Sequence, residues 1–297
     1  MTGMQLTDGG LETSLIFHQG LDLPIFAAFP LVETEDGRAA LRRYWEPYLA
    51  VAREHSVGFV VDTPTWRANI DWASQLGYDA NGVRAVNAAA ARFARELGAD
   101  MPAAVVNGVI GPRGDGYVAG EQMTSEQAST YHADQIAALA GAGVDQVAAI
   151  TMTYPQEAIG FVRAASAAGV SCVASFTVET DGRLPSGHTL HDAIALVDAE
   201  TDGSAAGFMI NCAHPTHFDD ALSGGEWLAR IIGIRANAST MSHAELDAAT
   251  ELDDGDPADL AARYRALLAR LPALQTLGGC CGTDDRHIRA IGEACLA

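Results

Sequence analysis

Short apolar or β-branched runs alternate along the chain with longer Ala-rich segments of helical period. The runs cover Met4–Asp8, Gly58–Thr63, Ala103–Ile110, Gln146–Met152, Cys172–Val178, Gly207–Asn211, Ile231–Ala236 and Thr276–Gly279. Most are followed by a segment with helical spacing, such as Asn81–Leu97, Ser125–Ala140 and Pro257–Ala269. The last opens with Asp256 as N-cap and Pro257 in the first turn, where a missing N–H costs nothing. Continuous apolar strands between helices suit a parallel sheet covered by helices. Eight such units in 297 residues predict an α/β fold, a (β/α)8 TIM barrel, forming one domain over residues 1–297. A doubly wound open sheet would call for a Gly-rich phosphate loop after the first strand. DGGLET (8–13) is not G-x-G-x-x-G, and no Walker loop occurs.

Polar residues cluster just after these runs. Asp8-Gly9-Gly10 follows the first, Asp62 to Trp66 the second, and Asn107 with Gly111-Pro112 the third. Asn211-Cys212 follows the sixth, Asn237 the seventh and Cys280-Cys281 the eighth. In such a barrel all strand C-termini lie on one rim, where active sites are built. Three thiols distant in sequence are therefore expected to meet on one face. Zinc takes thiolate ligands, and a catalytic site keeps a fourth position open. Three soft donors favour zinc over magnesium or calcium. The Gly278-Gly279 pair before Cys280 is expected to let the backbone turn tightly, so that adjacent side chains reach one ion. Cys172, inside the fifth run, and Cys295, on the last helix, read as buried structural thiols. His214 and His217, spaced i, i+3 after Cys212, remain open as further ligands.

Composition narrows the partners. Asp plus Glu number 38 against 18 Lys plus Arg, a formal charge of −20. Such a surface repels phosphate backbones and anionic lipid, so neither nucleic acid nor a membrane surface is expected as a partner. No apolar run approaches the roughly 20 residues of a membrane span. The start, MTGMQLTDGG, has no basic region followed by an apolar stretch, so no secretory signal is expected. Five cysteines in a chain of this length, two of them adjacent, do not form a disulfide framework. A reducing cytoplasm with free thiols is the expectation. A homo-oligomer is compatible with the sequence.

These residues resemble the homocysteine S-methyltransferase family, zinc-dependent (β/α)8 barrels. DGGLET (8–13) is similar to its first-strand motif, INCAHP (210–215) to its first zinc segment and GGCCGTDDRHI (278–288) to its paired-cysteine segment. The resemblance covers nearly the whole chain. It implies that Cys212, Cys280 and Cys281 hold zinc and that a substrate thiol takes the fourth position. A free thiol has a pKa near 8.5, and coordination deprotonates it while keeping a nucleophilic sulfur. A methyl group on a sulfonium or quaternary nitrogen can then transfer in line, with water excluded.

Substrate contacts are expected from Asp8, for the amino group of an amino-acid thiol, and from Gly9 and Gly10, which let backbone approach it. Trp66 and Phe176 are expected to stack on a cationic donor. Asn211 and Asn237, at the sixth and seventh strand ends, are expected to orient substrate or to support the metal's ligands. One departure stands out. Family members acting on homocysteine carry Glu-Thr at the fourth strand end, where the Glu binds the amino group. Here AAITMTYPQEA (148–158) places Ile150 or a Thr there, with Glu157 several residues on. Glu179 and Asp181, in the polar loop after the fifth run, are the candidate replacements. The expected activity is methyl transfer from S-methylmethionine or S-adenosylmethionine to homocysteine, giving methionine. A non-catalytic zinc- or thiol-binding protein and a zinc hydrolase are the alternatives. Hydrolytic sites favour His and carboxylate ligands, and three thiolates make a poorer Lewis acid.

Overall fold

A computed structural model describes residues 3–296. Eight parallel strands form a closed barrel in sequence order. They are β1 (Gln5–Leu6), β2 (Gly58–Asp62), β3 (Ala104–Ile110), β4 (Gln146–Met152), β5 (Ser171–Phe176), β6 (Gly207–Asn211), β7 (Ile231–Ala236) and β8 (Thr276–Gly279). Closure comes from β1 against β8, with Gln5 opposite Thr276 and Leu6 opposite Leu277. The first strand is shorter than its apolar run because beyond Leu6 it bonds only to β8. There Thr7 N–H donates to Leu277 O at 2.9 Å and Gly279 N–H to Asp8 O at 2.8 Å. That divergence frees Asp8 to face the barrel mouth.

The helices that cover the barrel are α1 (Glu35–His55), α2 (Ala80–Leu97), α3 (Ser125–Gly141), α4 (Pro155–Ala167), α5 (Leu190–Glu200), α6 (Pro215–Phe218), α7 (His243–Ala248), α8 (Pro257–Arg270) and α9 (Asp285–Cys295). Asp256, the N-cap expected from the sequence, does cap its helix, accepting from the amides of Ala258 and Asp259. The structure adds a capping box on α3, closed by Thr124 and Gln127. The sixth crossover departs from the pattern, since α6 is a single turn.

Two apolar layers result. Between strands and helices, Leu41, Trp45, Phe59, Phe161 and Phe208 are fully buried. Truncating one of these aromatics to Ala costs about 3–5 kcal/mol. Inside the barrel Val109, Ala148, Ile150, Val173 and Met209 form a smaller plug. Its upper members, Val109 and Ile150, line the cavity at the C-terminal rim. No helix among the described residues is long and apolar enough to cross a membrane.

Candidate metal centre

The rim encloses a cavity of about 460 Å³. Asp8, Gly9, Gly10 and Glu12 line it after β1, Asp62, Trp66 and Arg67 around β2, and Tyr117 beyond β3. Ile150 and Thr151 of β4, Arg235 of β7, and the three cysteines complete the inner wall. Cys212 Sγ lies 2.6 Å from Cys280 Sγ and 3.8 Å from Cys281 Sγ. All three sulfurs fall within 4.8 Å of one another, a group able to hold a metal ion. A thiolate tetrahedron with legs of ~2.3 Å has edges of ~3.8 Å, which the Cys212–Cys281 pair already matches and the Cys212–Cys280 pair would reach by moving apart about 1.2 Å.

The backbone around the sulfurs is tightly specified. Cys212 has φ +54°, the left-handed region, which is uncommon for a residue with a side chain. Its carbonyl accepts from Asn237 Nδ2 at 3.0 Å and lies 2.7 Å from His243 Nε2. His243 Nδ1 is in turn 3.0 Å from Glu179 Oε1. These groups hold the strained ligand in place. On the other side Gly10 N–H donates to Thr283 O, and Gly282 N–H donates to Thr13 Oγ1. The turn is made at Gly282, with φ +79°. Gly278 and Gly279 stay within β8, where an added Cβ would collide with Thr7 or Thr283. Their role is close packing, which corrects the turn expected of them.

Within the cluster the charge settles on one sulfur. Hydrogen bonds from Cys212 and Cys281, aided by Arg235, hold Cys280 well below the usual thiol range. The hydrogen bonds that Cys212 gives to Cys280 and Cys281, together with burial, push its own thiol well above that range.

The substrate residues expected from the sequence separate into two sets. Gly9 and Gly10 line the cavity, yet their lack of a side chain serves the cysteine turn. A Cβ on Gly9 would sit 2.6 Å from Thr283 O, and one on Gly10 2.7 Å from Cys280 O. Asp8 lines the cavity but is committed to protein partners. Thr7 and Tyr44 hydroxyls donate to it at 2.8 and 3.1 Å, and Arg235 Nη2 at 2.5 Å. The same guanidinium pairs with Asp62 and donates to Gly279 O. Burial pushes the Asp8 carboxyl up to about 6, against the pull of Arg235 and with repulsion from Asp62. Trp66 forms wall, with its Nε1–H on Ile150 O, and Arg67 already lies 4.2 Å over its ring.

Three residues lie off the cavity. Phe176 does not face it: neighbouring Ser175 points inward to Asn211, so Phe176 points out and stacks on Phe208. Asn237 spends its amide on the Cys212 carbonyl. Asn211 Oδ1 accepts from Thr151 N–H and Ser175 Oγ, and its amide donates to Thr151 Oγ1 and, at 3.9 Å, to Cys280 Sγ, a contact to one of the three sulfurs of the kind expected of it. That network fixes Thr151 at φ +68° where β4 bends.

None of the candidate replacement carboxylates reaches the cavity. Glu157 is buried against Arg113 N–H and His132, Glu179 faces His243, and Asp181 accepts from Arg183 N–H. Neither His214 nor His217 joins the sulfurs; they turn to Thr216 and to Thr240 O. Cys172 and Cys295 are buried in the outer core.

Sequence reasoning missed three residues. Arg235 stands in an apolar run. Tyr117 comes from the Gly-rich loop 111–122, stacks on His243 at 4.1 Å, and puts its hydroxyl 3.5 Å from Cys281 Sγ. Glu12 was visible in DGGLET, but no pattern gave it a role.

The family model described as homocysteine S-methyltransferase matches residues 5–295. A curated relative, homocysteine S-methyltransferase 4 of Zea mays, is 27% identical over 323 residues, covering 98% of this chain and 89% of the relative. Crystal structures of the homocysteine methyltransferase MmuM from Escherichia coli share the fold. Its oxidized form gives a TM-score of 0.76 at 22% identity, covering 98% of this chain and 96% of that one. Its metallated form gives 0.74 at 21% identity with the same coverage.

Proposed function

The chain belongs to the homocysteine S-methyltransferase family, and from that premise we propose that it transfers a methyl group from a small cationic donor to the thiol of homocysteine, giving methionine, with zinc as its metal. The observation that carries this reading is the meeting of Cys212, Cys280 and Cys281 at the wall of an open cavity on the barrel rim. Zinc held by these three sulfurs would take the acceptor sulfur in its remaining position and keep it as a nucleophilic thiolate at neutral pH.

The remaining work falls to the protein. Asn237 and His243 keep the Cys212 carbonyl, and so its sulfur, in one place. Ile150 and Trp66 give an apolar wall that keeps water from the transferring methyl group. Exposed Asp247 and Glu251 at the mouth make it attractive to a cation, which suits S-methylmethionine or S-adenosylmethionine. An all-sulfur donor set favours activating a thiol over activating water. Because the three thiols must stay reduced, a reducing compartment such as the cytoplasm belongs to the same reading.

Metal analysis of protein purified without chelator tests the first layer. About one equivalent of zinc is expected, falling sharply in Cys280→Ser; less than half an equivalent, unchanged by that substitution, would end the metal reading. A matrix of thiols against methyl donors, with mass detection of product, tests the second. Methylated homocysteine is the expected product. Turnover of non-amino thiols alone would move the acceptor, and no turnover with any pair would leave a thiol-binding protein.

A further inference from the structure

We propose that Glu12 is the residue that receives the α-ammonium group of the acceptor thiol, in place of the fourth-strand carboxylate that this chain lacks. The inference rests on the reading of the cavity as an amino-acid thiol site. Seven carboxylates line that cavity.

Most of them are spoken for. Asp8 and Asp62 share Arg235. Asp115 accepts from the amides of Tyr117 and Val118. Asp253 accepts from Ser239 Oγ at 2.6 Å and from Gly255 N–H. Asp247 and Glu251 are exposed at the mouth, away from the half-buried inner wall. Glu12 is half-buried on that wall; among the described residues its carboxylate has neither an ion pair nor a side-chain hydrogen bond, and its one hydrogen-bonding influence is its own backbone amide. A carboxylate partly withdrawn from water without a countercharge is unfavourable until a cation arrives.

Its position is tied to the sulfurs through the backbone. Glu12 sits in the helical turn Leu11–Thr13. Gly10, before it, donates to Thr283 O at 3.0 Å, and Thr13, after it, accepts from Gly282 N–H at 3.3 Å. Both contacts are to the turn that carries Cys280 and Cys281. The turn that carries Glu12 is thereby tied directly to the turn that carries two of the sulfurs, as recognition of an ammonium a few bonds from a sulfur requires. The local field agrees. Burial pushes the Glu12 carboxyl up to about 7, against the hydrogen bond from its own backbone amide and the pull of Arg67, with Cys280 and Asp8 adding repulsion. An ammonium seated beside it would offset all three unfavourable influences. The exposed acids at the mouth are left to attract the donor.

The test is calorimetric titration of zinc-loaded protein with L-homocysteine and with 4-mercaptobutanoate, the same thiol without its amino group. Wild-type protein is expected to bind homocysteine at least about tenfold more tightly. Glu12→Gln should weaken homocysteine by tenfold to a hundredfold while leaving 4-mercaptobutanoate within about twofold. Glu12→Ala should repeat the pattern, and zinc content with the thermal midpoint shows that both variants are folded. Homocysteine affinity unchanged in Glu12→Gln, or equal losses for both thiols, would overturn the assignment. So would a loss confined to the KM of the methyl donor. Glu12-dependent binding of homocysteine without turnover would retain the assignment and remove the catalytic reading. No binding of homocysteine by wild type would remove the assignment itself.

Discussion

Replacing Arg235 by Met is the substitution with the largest consequence that the structure allows one to work out. The side chain is 10% exposed, and its partners Asp8 and Asp62 are 2% and 7% exposed. Removing the guanidinium strands two carboxylates in the barrel mouth and leaves Gly279 O without its donor. Breaking a buried pair from one side costs about 3–5 kcal/mol, because the uncompensated charge remains. Neutralising the whole set, in Asp8→Asn/Asp62→Asn/Arg235→Met, removes that charge and should restore most of the loss. Urea unfolding of the zinc-loaded protein, followed by two probes to check two-state behaviour, measures both variants. The dependence on pH gives an independent sign. Asp8 is raised from 3.8 to about 6 on folding, so its favourable contribution is full below pH 3.8 and fades as pH rises through 6. Loss of Arg235 strengthens that trend, and the deficit of Arg235→Met should be smaller at pH 4.5 than at pH 8. A single variant losing less than about 1 kcal/mol, or a triple variant no better than the single, would refute the reasoning.

Three further outcomes are expected. Gly10→Ala would place a Cβ 2.7 Å from Cys280 O and 3.1 Å from Cys281 Cα. It should cost about 1–3 kcal/mol by thermal unfolding and weaken zinc binding in the same protein. Asn237→Ala removes one donor from the Cys212 carbonyl; competition with a chromophoric chelator should show zinc affinity reduced about 10- to 100-fold, with an unaltered value counting against a positioning role. In thiol labelling of zinc-free protein at neutral pH, the cluster should react first through Cys280. Cys172 and Cys295 should lag, since burial pushes each up to about 11; restored zinc should slow the cluster alone.

Much of the fold was readable because a buried parallel strand leaves an apolar run and its covering helix leaves a period. The rim position of each polar strand end follows from the architecture, and so does the meeting of Cys212 with the Cys280-Cys281 pair. What a run conceals is which of its members points inward. Ser175 and Phe176 are neighbours in one apolar stretch, and the pleat sends the first to Asn211 and the second to Phe208. Arg235 was hidden for a different reason. A charge inside a run is intelligible only through partners, and its partners stand on β1 and β2, far along the chain.

That hidden residue changes the meaning of two features that the sequence did display. With Arg235 in place, Asp8 is a neutralised element of the cavity floor and no longer a free receptor for an ammonium group. With Ile150 and Thr151 at its end, β4 supplies no carboxylate either. Of the acidic positions expected to read the acceptor's amino group, Asp8 is already paired with Arg235 and β4 offers none, while the three sulfurs stand together. Glu12, half-buried on the cavity wall and carried on a turn tied to the cysteine turn, is the carboxylate left for the proposed ammonium contact.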